Sequence, residues 1–116
     1  MVVDALEPAV TDGVFHALSD ATRRDIVRRT LTDPYSVSAL ARCYPMSFAA
    51  VQKHVAVLAA AGLVTKERRG REQLVRGDVG RLREATRMLE QLEEVWRARM
   101  ERFGEVLAEL EEEEQA

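Results

Sequence analysis

At 116 residues, with 47% apolar and 32% charged side chains and a formal net charge of −3, the chain has room for one hydrophobic core and the composition of an ordinary folded domain. That composition excludes disorder, and the longest apolar run, Val55 to Ala61, falls short of the roughly 18 residues that cross a bilayer. A single cysteine, Cys43, and two histidines exclude an internal disulfide and a Cys-rich zinc site, so packing must hold the fold, within one chain or across a dimer.

Asp4 and Glu7 stand where a secretory signal would be cationic, so a cytoplasmic protein is expected, with residues 1–10 flexible. Low aromatic content and an Ala, Val and Leu-rich core predict a mainly helical chain. Glycines and prolines, Gly13, Pro34, Pro45, Gly62, Gly70, Gly77 and Gly80 among them, divide it into short segments. Val14, Phe15, Ala17 and Leu18 lie at helical spacing, and Ser19-Asp20 caps a second helix over about 21–31 with Ile26, Val27 and Thr30 inward. Asp33-Pro34 ends it. Ser36-Val37-Ser38 caps a short third helix over 39–43, and Tyr44-Pro45-Met46 makes a tight connection. Ser47 caps a fourth helix running to Ala61, with Gly62 at its left-handed end.

Beyond Gly62 the pattern turns extended. Leu63-Val64-Thr65 and Gln73-Leu74-Val75 read as two strands, with the charged stretch 66–72 as the loop between them. From about residue 80 one long helix follows. Its apolar positions, including Leu82, Leu89, Leu92, Trp96, Met100 and Phe103, step by three or four as in a coiled-coil seam. The acidic end, residues 111–116, is expected to fray.

Net charge hides the informative distribution. Between Arg42 and Arg76 there are seven cations against two anions, whereas from Arg81 onward six arginines face eleven glutamates. Two short helices joined by a tight turn, the second followed by a basic hairpin, describe a winged helix-turn-helix of about five helices plus wing over residues 11–110, closed by a dimerisation helix over about 80–110. In the fourth helix Val51, Val55 and Leu58 share one face, while Ala49, Lys53, Ala56 and Ala60 point away, flanked by Gln52 and Ala50. That outward face is small and free of acid, as a helix entering a major groove requires. Gln52 suits adenine, Lys53 guanine or phosphate, the helix start at Ser47 suits phosphate, and Arg68, Arg69 and Arg71 suit the backbone or minor groove. His54 is either a hydrogen-bonded structural histidine or a phosphate or base contact.

At these residues the chain resembles the ArsR-type regulators. The stretch Val14-Phe15-His16-Ala17-Leu18-Ser19-Asp20-Ala21-Thr22-Arg23-Arg24-Asp25-Ile26 is similar to their first two helices, and Ser36 to Ala41 to their third. Met46-Ser47 through Val55, with Leu58 and Ala61-Gly62-Leu63-Val64, is similar to their recognition helix and its exit, and Arg69-Gly70-Arg71 to their wing. The resemblance, over roughly residues 10–105, implies a homodimeric bacterial repressor on a palindromic operator, often that of its own promoter. It implies DNA contacts from Ser36, Ser38, Ser47, Phe48, Ala49, Gln52, Lys53, His54, Arg68, Arg69 and Arg71, with recognition helix 47–61 and wing 66–72. It also implies a dimer interface of Val14, Phe15, Leu18, Leu82, Leu89, Leu92, Trp96, Met100 and Phe103.

Metal-sensing members carry a Cys-x-Cys pair in the third helix or Asp and His ligands on the last. Here those positions hold Ala39 to Arg42 and the lone Cys43, and no histidine follows His54. No metal or cofactor is therefore expected, and the resemblance is to the non-metal-sensing branch. An apolar small-molecule effector, oxidation of Cys43 and simple autorepression stay open as signals. A protein-interaction module on a winged-helix scaffold is the competing reading, supported by the net charge and the acidic tail. An enzyme ranks third, because the one cysteine and the serine cluster have no His/Asp set near them, and neither a Gly-rich phosphate loop nor an acid pair in an apparent pocket is present.

Overall fold

The helix starts follow from three short polar side chains. In the computed structural model, which describes residues 8–116, Asp20, Ser36 and Ser47 each accept a hydrogen bond from the backbone N–H three residues on, at 2.9, 3.0 and 3.1 Å, and so set the N-termini of α2 (Ala21–Thr32), α3 (Val37–Ala41) and α4 (Phe48–Ala60). The helix preceding them, α1 (Pro8–Leu18), ends on carbonyls that no intrahelical donor reaches. Arginines of α2 reach back to them: Arg23 donates to Ala17 O and His16 O at 2.7 and 3.1 Å, and Arg24 donates to Leu18 O at 2.8 Å. Cations at a helix C-terminus also complement its dipole.

Gly62, with φ +77°, closes α4. Its N–H donates to Ala59 O and that of Leu63 to Leu58 O, while the Leu63 and Leu58 side chains are both fully buried, the paired bonds and apolar contact of a Schellman end. The chain then runs into β2 (Val64–Arg69) and β3 (Glu72–Gly77), joined by a two-residue turn whose first residue, Gly70, has φ +61°. A short strand, β1 (Tyr35–Ser36), adds to the far side, giving the antiparallel order β1-β3-β2 with Tyr35 opposite Val75 and Lys66 opposite Val75 on the other edge.

The core lies where α2, α3 and α4 meet the sheet. Ile26, Leu40, Val51, Leu58, Val64 and Val75 are essentially unexposed. Thr30, the buried polar residue among them, donates to Ile26 O at 2.8 Å. Of the described residues, 8–85 form one compact unit and Thr86–Ala116 a second, although α5 (Val79–Gln115) is one continuous helix. Among the described residues, no helix is long and apolar enough to cross a membrane.

Six sequence expectations need correction. The third helix starts two residues earlier than its pattern suggests, because Ser36 itself is the cap. The sheet has three strands: a cap residue must adopt extended backbone, so Tyr35-Ser36 can pair with β3 without showing any alternation. Most of the charged stretch 66–72 is strand rather than loop. Gly13 lies inside α1 and does not break it, whereas Gly80 falls at the start of α5, where the long helix is expected to begin. The end of the chain is helical through Gln115, and residues 8–10 belong to α1; residues 1–7 of the segment expected to be flexible lie outside the described residues.

Gly77 is the position with least room. A Cβ there would sit 2.8 Å from the Leu31 backbone nitrogen as well as from its side chain. Gly77→Ala is expected to lower stability by about 1–3 kcal/mol, the cost of overpacking, read as a lower urea midpoint at unchanged m-value.

Candidate nucleic-acid interface

The sequence of α4 sorts its side chains cleanly. Val51, Val55 and Leu58 are buried, and Phe48, Ala49, Gln52, Lys53, Ala56 and Ala60 are exposed. The helix contains no acidic residue. Its N-terminus, capped by the exposed Ser47, projects with Gln52 and Lys53 on the first turns, where a groove-bound helix meets base edges. Ser38 is exposed on α3, whereas Ser36 is half-buried and its Oγ is engaged by the α3 cap.

His54 does not join this face. It is half-buried against α2, with Nδ1 3.3 Å from the Arg23 guanidinium and 4.0 Å from Asp20 Oδ2. Arginine can only donate, so Nδ1 accepts and the ring proton sits on Nε2. The Asp20 carboxyl is held below its ordinary pKa, first by the Arg23 N–H it caps. His54 is thus a tether between α4 and the α1–α2 corner.

A second tether holds the α3–α4 turn, and no sequence motif announced it. Tyr44 Oη donates to Asp25 Oδ2 at 2.6 Å, and Arg29 Nε donates to the same oxygen at 2.7 Å. Arg28 covers Oδ1. The Arg29 guanidinium also lies 5.8 Å from the centre of the Tyr44 ring, within cation–π range. These bonds, Tyr44's first, hold the Asp25 carboxyl well below the usual carboxylate range, while burial and then the Asp25 charge push the Tyr44 hydroxyl up. One carboxylate on α2 thereby fixes the turn from which α4 departs. The arginines three and four residues after Asp25 were its only trace in the sequence.

In the hairpin, register separates two kinds of cation. Arg69 and Arg76 share a face with Glu67 and lie 3.7 and 3.6 Å from its carboxylate. On the other face Lys66 and Arg68 stand opposite Val75 and Gln73, and among the described residues Lys66 has no ion-pair partner. Arg71 is exposed at the turn, where Arg68 Nε donates to Gly70 O. Lys66, absent from the expected contacts, belongs with Arg68.

The expected interface residues divide likewise. Val14 is fully buried in the chain's own core, and Phe15, Leu18 and Leu82 pack partly against it. In the second unit Leu89, Leu92, Trp96, Met100 and Phe103 are exposed, 57% for Trp96 and 58% for Phe103, and Val95, Val106, Leu107 and Leu110 extend the stripe. Cys43 is half-buried and its Sγ donates to Ala39 O at 3.4 Å.

Comparison with known proteins finds the chain similar to transcriptional regulators. No family model matches the chain. An HTH-type transcriptional regulator of Mycobacterium tuberculosis is 47% identical over 53 residues, 46% of this chain and 50% of that protein; the match spans half the length of that relative. Among solved structures, an ArsR-like transcriptional regulator from Rhodococcus sp. is 35% identical with a TM-score of 0.77, covering 84% of this chain and 90% of that one. The homodimeric winged helix-turn-helix DNA-binding domain of a Mycobacterium bovis protein shares the fold at 22% identity and a TM-score of 0.58, over 82% and 89% of the two chains.

Proposed function

The chain belongs to the ArsR family of transcriptional regulators, and on that premise we propose that it is a homodimeric repressor acting in the cytoplasm on a palindromic operator, its own promoter included. Recognition helix 47–61 enters the major groove, wing 66–72 follows the backbone or the adjacent minor groove, and α5, assisted by α1, joins two copies. The observation that carries this reading is the exposed, acid-free face of α4 together with the exposed hairpin cations Lys66, Arg68 and Arg71. The apolar stripe of α5, exposed in a single chain, supports the dimer. A gel-shift with the DNA upstream of the protein's own gene tests the proposal. A retarded band that survives excess random DNA is expected; equal competition by random DNA would overturn it.

Base-reading and phosphate-binding residues fail differently. Gln52→Ala should cost roughly 1–3 kcal/mol on the operator and little on random DNA, the worth of one bidentate base contact. Lys66→Gln or Arg68→Gln should weaken binding to every sequence and flatten the dependence of log affinity on log salt by about one unit each. Arg69→Gln, already neutralised by Glu67, should change that slope less.

Signal recognition by metal finds no support in the donor set. Among the described residues no group of three His, Cys, Asp or Glu side chains could hold an ion. Operator complexes are therefore expected to persist in stoichiometric zinc, cadmium or arsenite, as followed by fluorescence anisotropy. Cys43, hydrogen-bonded to Ala39 O, acts as a small packing residue.

A further inference from the structure

Phe48 is the first residue of α4 and 47% exposed, although aromatic residues are mediocre helix formers and the core beneath is completed by Val51, Val55 and Leu58. Nothing in the packing of the chain requires a phenyl ring there. Four and eight residues on, Gln52 and Ala56 continue the same row of the helix, and Ala49 and Lys53 form the row beside it, all exposed. This face holds no arginine, Lys53 being its one cation suited to guanine or phosphate, and no carboxylate to accept from cytosine. Its inventory is an aromatic ring, alanine methyls, one primary amide and one lysine.

From that inventory we infer that α4 reads A·T pairs: the Gln52 amide engages adenine N6 and N7 while Phe48, with Ala49 beside it, packs on thymine 5-methyl groups. The inference rests on the reading of α4 as the recognition helix and deepens it. Apolar side chains meeting the thymine methyl are an established form of major-groove readout, and the first turn of a groove-bound helix is the part that reaches base edges. Phe48 lies one turn N-terminal to Gln52, so the two address neighbouring base pairs. Its solvent-exposed ring then has an occupant, one that buries it only in the complex.

The test uses the full chain and a binding site selected from a random duplex library, each thymidine of the selected site being replaced in turn by deoxyuridine, which removes the methyl and keeps the pairing. The selected half-site should contain A·T pairs, and at one thymine or more the loss of the methyl should weaken binding about fourfold, the worth of one buried methyl-sized group. Phe48→Ala should bind the thymine duplex more weakly by a similar factor and no longer distinguish thymine from uracil at that position. A selected site without A·T pairs, no penalty for uracil in the unaltered protein, or an equal penalty in Phe48→Ala would each overturn the inference while leaving sequence-specific binding intact. Failure to bind any duplex at low salt would instead remove the DNA-binding reading, and this inference with it.

Discussion

Replacing Trp96 and Phe103 together by Asp is expected to turn the protein into a monomer at micromolar concentration, by light scattering, and to reduce operator affinity on the order of a hundredfold. Both side chains are more than half exposed on α5 in a single chain, so the change removes no core packing. Central aromatic residues of interfaces commonly contribute about 2 kcal/mol or more each, and two buried aspartates facing their own copies add desolvation and repulsion. The DNA effect follows from linkage: two half-sites bound by one dimer benefit from a high effective concentration, and separate monomers lose that gain, 10²-fold or more in order of magnitude. Circular dichroism should show residues up to Ala85 still folded. A dimer that persisted in this variant would remove the α5 interface.

The second large effect centres on Asp25. Asp25→Ala leaves Tyr44 Oη without its acceptor and Arg28 and Arg29 without their carboxylate; hydrogen bonds to a charged group of this kind are worth about 2–3 kcal/mol before partial solvent exposure discounts them. Thermal or urea unfolding should record that loss. Tyr44→Phe, which leaves both arginine contacts, should lose less. The pH dependence has a definite sign. A carboxyl whose folded pKa lies below its ordinary value of 3.8 contributes stability that is fully present above that value and disappears as pH falls further toward the folded pKa. The unaltered protein should therefore lose stability steeply from about pH 4 downward, and Asp25→Asn should flatten that limb. Equal acid sensitivity in the two would mean the carboxylate contributes nothing through its charge.

The contrast between these two sites shows what could be read from the chain alone. The α5 stripe, the caps at Asp20, Ser36 and Ser47, the glycine end at Gly62 and the inward triad of α4 are periodic or local signals, carried by residues at most a few positions apart. The Asp25–Tyr44 bond spans nineteen positions and His54–Arg23 thirty-one, and no spacing rule connects such pairs. The same limit explains β1, whose two residues are too few to alternate, and Val14, whose helical spacing is equally compatible with the chain's own core and with a partner. In the hairpin, composition marked Arg68, Arg69 and Arg71 alike, and only the strand register set Arg69 beside Glu67 and Arg68 on the opposite face.

That register has a consequence for the protein when no DNA is present. In the order β1-β3-β2 the strand β2 is an edge, six residues long, with one row of backbone donors and acceptors open to any other extended chain. Such an edge is a template for intermolecular β-pairing. Four consecutive charged residues, Lys66 to Arg69, three of them cations, occupy it, and pairing with another strand would strip water from them. The hairpin cations therefore act as gatekeepers against self-association, which is why so charged a stretch can be strand rather than loop and still stay in solution. Selection on the wing is then twofold: a change that improves its fit to a groove by adding apolar surface also exposes a sheet edge to its own copies.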